Sequence, residues 1–106
     1  MASTDTEKVL NHHLETLQAK DLDGVMADYA DDAVIITNVG GVVKGLDAIR
    51  GMFSAVELPG FESSLVHVED DYAFIVWKSQ GVTFGTDTFV VQDGKITLQT
   101  AAIQFA

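Results

Sequence analysis

The sequence predicts an α+β fold, on three observations. Apolar residues recur at helical spacing in three stretches of the first 56 residues. From residue 61 onward the chain reads as four β-rich runs separated by short turns. Helices and strands therefore segregate along the chain instead of alternating regularly, which argues against a parallel βαβ sheet.

Residues 4–20 read as the first helix. Thr4 and Glu7 have the spacing of a capping box, in which each side chain satisfies a free backbone donor. Val9, Leu10, His13, Leu14 and Leu17 then fall within one arc. A short helix is predicted over about 22–30, with Leu22, Val25, Met26 and Tyr29 as its stripe. Asp21 and Asp23 suit its start, where the helix dipole favours anions. Asp31-Asp32 would oppose the dipole at its end, so a turn is expected there. Ala33 to Asn38 reads as a strand, Asn38-Val-Gly-Gly as a turn, and 46–56 as a third helix with Leu46, Ile49, Phe53 and Val56 in line. Pro59-Gly60 breaks the chain. Strands are predicted at about 61–69, 72–80, 83–92 and 95–105. Asp93-Gly94 marks the last hairpin, because a tight primed turn needs positive φ and glycine supplies it.

Composition bounds what such a fold can do. The 106 residues suit one domain, spanning 1–106. There is no cysteine, which excludes disulfides, a thiolate nucleophile and cysteine-ligated metal. A formal charge of −10 repels phosphate backbones and anionic lipid, so neither nucleic acid nor membrane is an expected partner. No apolar run approaches a membrane span, and Met-Ala-Ser-Thr-Asp-Thr-Glu lacks the basic start of a signal peptide, so a cytoplasmic location is expected. No P-loop, GxGxxG, GxSxG or HExxH pattern is present, and no cofactor is expected.

Alternation sorts the strand faces. Thr83, Gly85, Asp87, Phe89 and Val91 share one face, and Thr97, Gln99, Ala101, Ile103 and Phe105 share another. Three helices can cover one side of the sheet. The other side, rich in Thr, Ala and Val, then calls for a second copy of the chain.

Asp21-Leu22-Asp23, Tyr29-Ala30-Asp31-Asp32-Ala33, Gly45-Leu46-Asp47-Ala48-Ile49 and the run from Gly85 to Ile96 occur in an order and at separations that resemble the nuclear transport factor two-like superfamily, most closely its SnoaL-like branch. The resemblance covers essentially the whole chain. It implies a cone: a curved, mostly antiparallel sheet wrapped around three helices, with one central apolar pocket and a homodimer through the convex sheet face. Members include ketosteroid isomerases, polyketide cyclases, scytalone dehydratase, limonene-epoxide hydrolase and non-catalytic modules. One fold hosting many activities says little about which one applies.

Asp87 is the most informative residue. It lies on the face of Phe89 and Val91, where lost hydration raises a carboxyl pKa and suits a proton donor. The resemblance places it at the oxyanion-hole aspartate of the isomerases. His13 lies within the apolar arc of the first helix, where the resemblance implies the oxyanion-hole tyrosine. Together they are the candidate acid–base pair. Each has a structural alternative: Asp87 holding a loop, His13 as a satisfied core histidine. Thr37 breaks the resemblance, because the isomerases carry their general-base aspartate there and a threonine cannot take a carbon-bound proton near neutral pH. Phe53 likewise replaces a supporting tyrosine, while Tyr29 retains another.

Trp77 is expected to wall the pocket with Phe89 and Ile103, and Gln99 to point inward. His12 sits about 100° round the helix from His13 and is expected to be solvated. Asp21, Asp23, Asp28, Asp31 and Asp32 read as a solvated acidic surface. His67 and Glu69 share a strand face without a third partner, so no metal site is expected. The function expected is binding of a small, largely apolar, carbonyl-rich or polycyclic molecule, with cofactor-independent acid–base chemistry of isomerase, cyclase, dehydratase or hydrolase type through Asp87 and His13. The competing expectation is a non-catalytic dimeric binding or assembly module.

Overall fold

A computed structural model describes residues 2–106, with side chains from Asp5 onward. Thr4, and with it the expected capping box, lies outside the described side chains. The elements are α1 (Ala2–Gln18), α2 (Leu22–Met26), β1 (Tyr29–Thr37), β2 (Gly41–Lys44), α3 (Leu46–Ser54), β3 (Glu62–Glu69), β4 (Tyr72–Ser79), β5 (Val82–Gln92) and β6 (Lys95–Phe105). The six strands form one curved sheet in the order β2-β1-β6-β5-β4-β3. Every pairing is antiparallel except that of β1 with β6. The three helices cover its inner face.

Helix α1 buries Thr6, Leu10, His13 and Thr16 against the sheet. Their spacing follows one face of a 3.6-residue helix. Ile35, Ile49, Ile75, Phe89 and Ile96 are each 1% exposed or less, and burial of such a side chain contributes roughly 1.5–3 kcal/mol. The β5–β6 hairpin closes as predicted. Asp93 and Gly94 take φ of 53° and 75°, the paired positive values of a type I′ turn.

Two local expectations are corrected, and one strand is added. The second helix ends at Met26 instead of about 30, and Tyr29 begins β1. Long-range bonds decide this: Ile96 N–H donates to the Asp28 carbonyl at 2.7 Å, and Lys95 Nζ to the Ala27 carbonyl at 2.6 Å. A five-residue helix has too few internal bonds to resist that pull. Asp31-Asp32 does not turn the chain. It lies in β1, exposed, where the register with β6 shifts between Tyr29 and Val34, so that the strand bulges and continues. Finally, the Asn38–Gly41 turn leads into β2, a short edge strand pairing Val42 with Ile36 and Val43 with Ile35.

The outer face of the sheet carries the row Phe74, Thr88, Thr100 and Ile36 without charge, while Glu69, Lys44 and the Glu62–Lys78 pair lie toward its edges. Ile36, Leu65, Tyr72 and Phe84 are 41–58% exposed there.

Candidate functional site

Strand register lays the inner face out in rows. Ala73, Phe89, Gln99 and Ile35 form one row across β4, β5, β6 and β1. Ile75, Asp87, Ala101 and Thr37 form the next. Trp77, Gly85 and Ile103 form a third. Helices α1 and α3 stand off these rows and leave a cavity of about 380 Å³, within the size range of small-molecule sites. Its wall is built mainly of Leu, Ile, Val, Met and Phe side chains. His13, Thr37, Glu57, Asp87, Gln99 and the indole of Trp77 interrupt it.

Asp87 is the centre of a hydrogen-bonded chain. Trp77 Nε1–H donates to its Oδ1 at 3.1 Å, and Gln99 Nε2–H donates to its Oδ2 at 3.0 Å. Tyr29 O–H donates in turn to Gln99 Oε1. Tyr29 and Gln99 are 3% and 4% exposed, so this chain is locked on the protein side. Asp87 keeps partial exposure where it lines the cavity. Burial pushes its pKa up from 3.8 to about 6, against the two N–H donors, which favour the anion. Burial also drives the Tyr29 phenol well above its usual range, with the charges of Asp87 and Asp28 adding to the effect. The phenol therefore stays a donor.

Gly85 makes this arrangement possible, and sequence reasoning gave it no role. A Cβ there would come within 2.4 Å of the Trp77 ring. The indole lies across the paired residue of the next strand, and only glycine leaves it room to reach Asp87, two residues further along β5. The signal in the sequence was a glycine within a strand run, which marks close approach.

His13 and Asp87 line the same cavity, but Asp87 is bonded to Trp77 and Gln99, and no hydrogen bond joins it to His13 among the described residues. The His13 ring packs edge-on against Tyr29, Phe53 and Phe89 with centroids 5.5–5.9 Å away. Its Nδ1 is buried without a hydrogen-bond partner. Burial, with a smaller contribution from the neighbouring His12 charge, lowers its pKa to about 4, so the ring is neutral at physiological pH. Thr37, Phe53, Trp77, Gln99 and Ile103 all line the cavity. Tyr29 and Phe89 stand behind its wall, the first supporting Gln99 and the second packing on His13.

Two surface expectations are corrected. His12 is not simply solvated: its Nδ1 lies 2.8 Å from both carboxylate oxygens of Asp28. Asp28 is 8% exposed, not part of an open acidic surface. It is buried where α2 gives way to β1, against α1. Its hydrogen bond and charge raise the His12 pKa, while burial raises that of Asp28 against the pull of His12 and Lys95. Asp23 pairs with Arg50 at 2.8 Å on the surface, and Asp21 caps α2 by accepting from Gly24 N–H at 3.0 Å.

A curved sheet closed by three helices around one carboxyl-bearing apolar cavity defines the cone-shaped α+β class. Within it, the chain belongs to the SnoaL-like domain family, which it matches over residues 10–99. Its structural neighbours lie in the nuclear transport factor two-like superfamily. A protein of unknown function from Mesorhizobium loti superimposes with a TM-score of 0.86 at 24% identity, covering 98% of this chain and 94% of that one. An LEH-like epoxide hydrolase from M. tuberculosis does so with 0.75 at 20% identity, over 96% and 84% of the two chains. SalBIII, an epoxide hydrolase/cyclase-like enzyme with a role in pyran ring formation in the polyether salinomycin, does so with 0.82 at 14% identity, over 95% and 92%. No curated protein matches the sequence. Among the described residues, no helix is long and apolar enough to cross a membrane.

Proposed function

We propose that the cavity binds a small, largely apolar molecule and that Asp87 is its acid–base group, acting without a cofactor. One observation carries this reading: a carboxyl in an apolar cavity wall, held by two neutral N–H donors and, among the described residues, by no cation. Held so, the carboxyl titrates near the operating pH, which is where proton transfer is most efficient. Ionised, it takes a proton from water or from a C–H beside a carbonyl. Protonated, it returns that proton to oxygen. His13 serves as a neutral wall and not as the base. The hydrolase and cyclase activities of the neighbours support an oxygen-bearing substrate, such as a cyclic epoxide or ketone. A single domain over 1–106 suffices for this site.

The test is turnover of small cyclic epoxides, together with solvent deuterium exchange beside the carbonyl of bicyclic ketones. The native protein is expected to turn over at least one class with a pH dependence centred near 6. An Asp87→Asn variant is expected to lose about 10²-fold or more. Equal rates in the two proteins would remove Asp87 from the chemistry. We further propose that the outer sheet face pairs two copies of the chain, supported by its uncharged central row Phe74, Thr88, Thr100 and Ile36 and by exposed Ile36, Leu65, Tyr72 and Phe84. Sedimentation at micromolar concentration is expected to give twice the chain mass, and a monomer there would contradict the pairing.

A further inference from the structure

Thr37 ends β1 at the cavity wall, and its hydroxyl is bonded in an uneven way. The Oγ1 accepts from the N–H of Val39 at 3.1 Å and from the N–H of Gly40 at 2.8 Å. A hydroxyl has two lone pairs and one O–H. Both lone pairs are therefore engaged by the turn, and the O–H finds no acceptor among the described residues. Accepting two bonds polarises the remaining O–H and strengthens it as a donor.

The turn that imposes this is itself fixed. Asn38 Nδ2–H donates to the Ile103 carbonyl at 2.9 Å, and Ile103 N–H donates to Asn38 Oδ1 at 2.8 Å. These bonds hold the turn to β6, and the Thr37 side chain cannot rotate away without giving up its bonds from Val39 and Gly40.

Register then sets the partner. Thr37 lies opposite Ala101, and Ala101 lies opposite Asp87. The two polar residues thus stand in one row, two strand spacings or about 10 Å apart at their Cα atoms. Between them lies only the methyl group of Ala101. The carboxylate has spent both its local donors: Trp77 N–H and Gln99 N–H point at it and not at the cavity.

We propose that Thr37 is a dedicated hydrogen-bond donor for the ligand, so that the cavity selects a small apolar molecule carrying an acceptor oxygen at its Thr37 end and a transferable hydrogen at its Asp87 end. The acceptor is a carbonyl, epoxide or ether oxygen; the hydrogen is an O–H or a C–H beside a carbonyl. This rests on the reading of the cavity as a ligand site with Asp87 as its acid–base group, and adds the polarity and direction of what enters it.

The test uses Trp77, the one tryptophan of the chain, as a reporter in the cavity wall. Its fluorescence is titrated at pH 7.5 with 2-decalone and with decalin, the same skeleton without oxygen. At that pH the carboxyl is ionised and cannot grip a carbonyl. The native protein is expected to bind the ketone about tenfold more tightly than the hydrocarbon, the value of one hydrogen bond. Thr37→Val is expected to reduce that ratio to within about twofold, and Thr37→Ser to retain it. Thr37→Ala repeats the test with a smaller side chain, should valine disturb the turn. A ratio that survives in Thr37→Val and Thr37→Ala overturns this inference alone. Failure of both probes to perturb Trp77 in the native protein overturns the ligand-site reading and this inference with it.

Discussion

Two buried carboxylates of this chain, Asp87 and Asp28, have been given opposite partners. Burial raises the pKa of both. Asp28 meets His12, whose own pKa rises in response, so the pair carries compensating charge and shares a proton only with itself. Asp87 meets the N–H groups of Trp77 and Gln99, which are neutral. They fix its position without cancelling its charge. The first arrangement fastens α1 to the start of β1. The second leaves a carboxyl held by two N–H donors and lining the cavity, where the proposed proton exchange would take place. Neutral donors, not the burial alone, separate the carboxyl we propose as the acid–base group from the one paired with His12.

The comparison can be broken most directly by exchanging each carboxylate for its amide. Asp87→Asn is expected to lower turnover by about 10²-fold or more while leaving the fold intact. Asp28→Asn is expected to leave turnover within about twofold, since it touches no cavity group, and to lower stability by about 1 kcal/mol, discounted because His12 is half exposed. Turnover and chemical denaturation of the two variants check both halves.

Gly85→Ala sharpens the geometry. The added Cβ collides with the Trp77 ring and displaces it from Asp87, at a cost of about 1–3 kcal/mol with a shift in tryptophan emission. A variant with native stability and emission would show that the indole does not need that space.

The pH dependence of stability follows from the signs of the shifts. Asp87 has a folded pKa above its unfolded value, so its contribution is fully present below pH 3.8 and is lost as pH rises to about 6. The loss is at most about 3 kcal/mol. His13 has a folded pKa below its unfolded value, so its contribution is present above pH 6.5 and is lost as pH falls to about 4. The two oppose one another across that window. Asp87→Asn is expected to expose the histidine slope and make the protein more acid-sensitive between pH 6 and 4, read from denaturation midpoints. The smallest effect belongs to the exposed Arg50–Asp23 pair, where Arg50→Gln is expected to change stability by less than about 1 kcal/mol.

Much of the cavity wall was legible because alternation is local. Asp87, Phe89 and Val91 do share a face with Ile75 and Trp77 across the register, and the Asp93-Gly94 turn fixes that register. What was not legible depends on partners far along the chain. Tyr29 fits the apolar stripe of a helix at residues 22, 25, 26 and 29, and long-range bonds from Ile96 to Asp28 and from Lys95 to Ala27 pull it into β1. The role of Gly85 needs Trp77 on the next strand, and that of Asp28 needs His12 sixteen residues away. Thr37 read as a lost base because residue identity shows what a position lacks. Its donor character appears only with the two turn N–H groups that occupy its oxygen.

The most direct measurement is the titration of the Asp87 carboxyl itself, followed by ¹³C NMR with the assignment secured by its loss in Asp87→Asn. A midpoint near 6 is expected, falling toward the ordinary carboxylate range only if the cavity floods. A midpoint at or below about 4 would show an ordinary solvated aspartate, and would contradict the account of Asp87 as the acid–base group of the cavity.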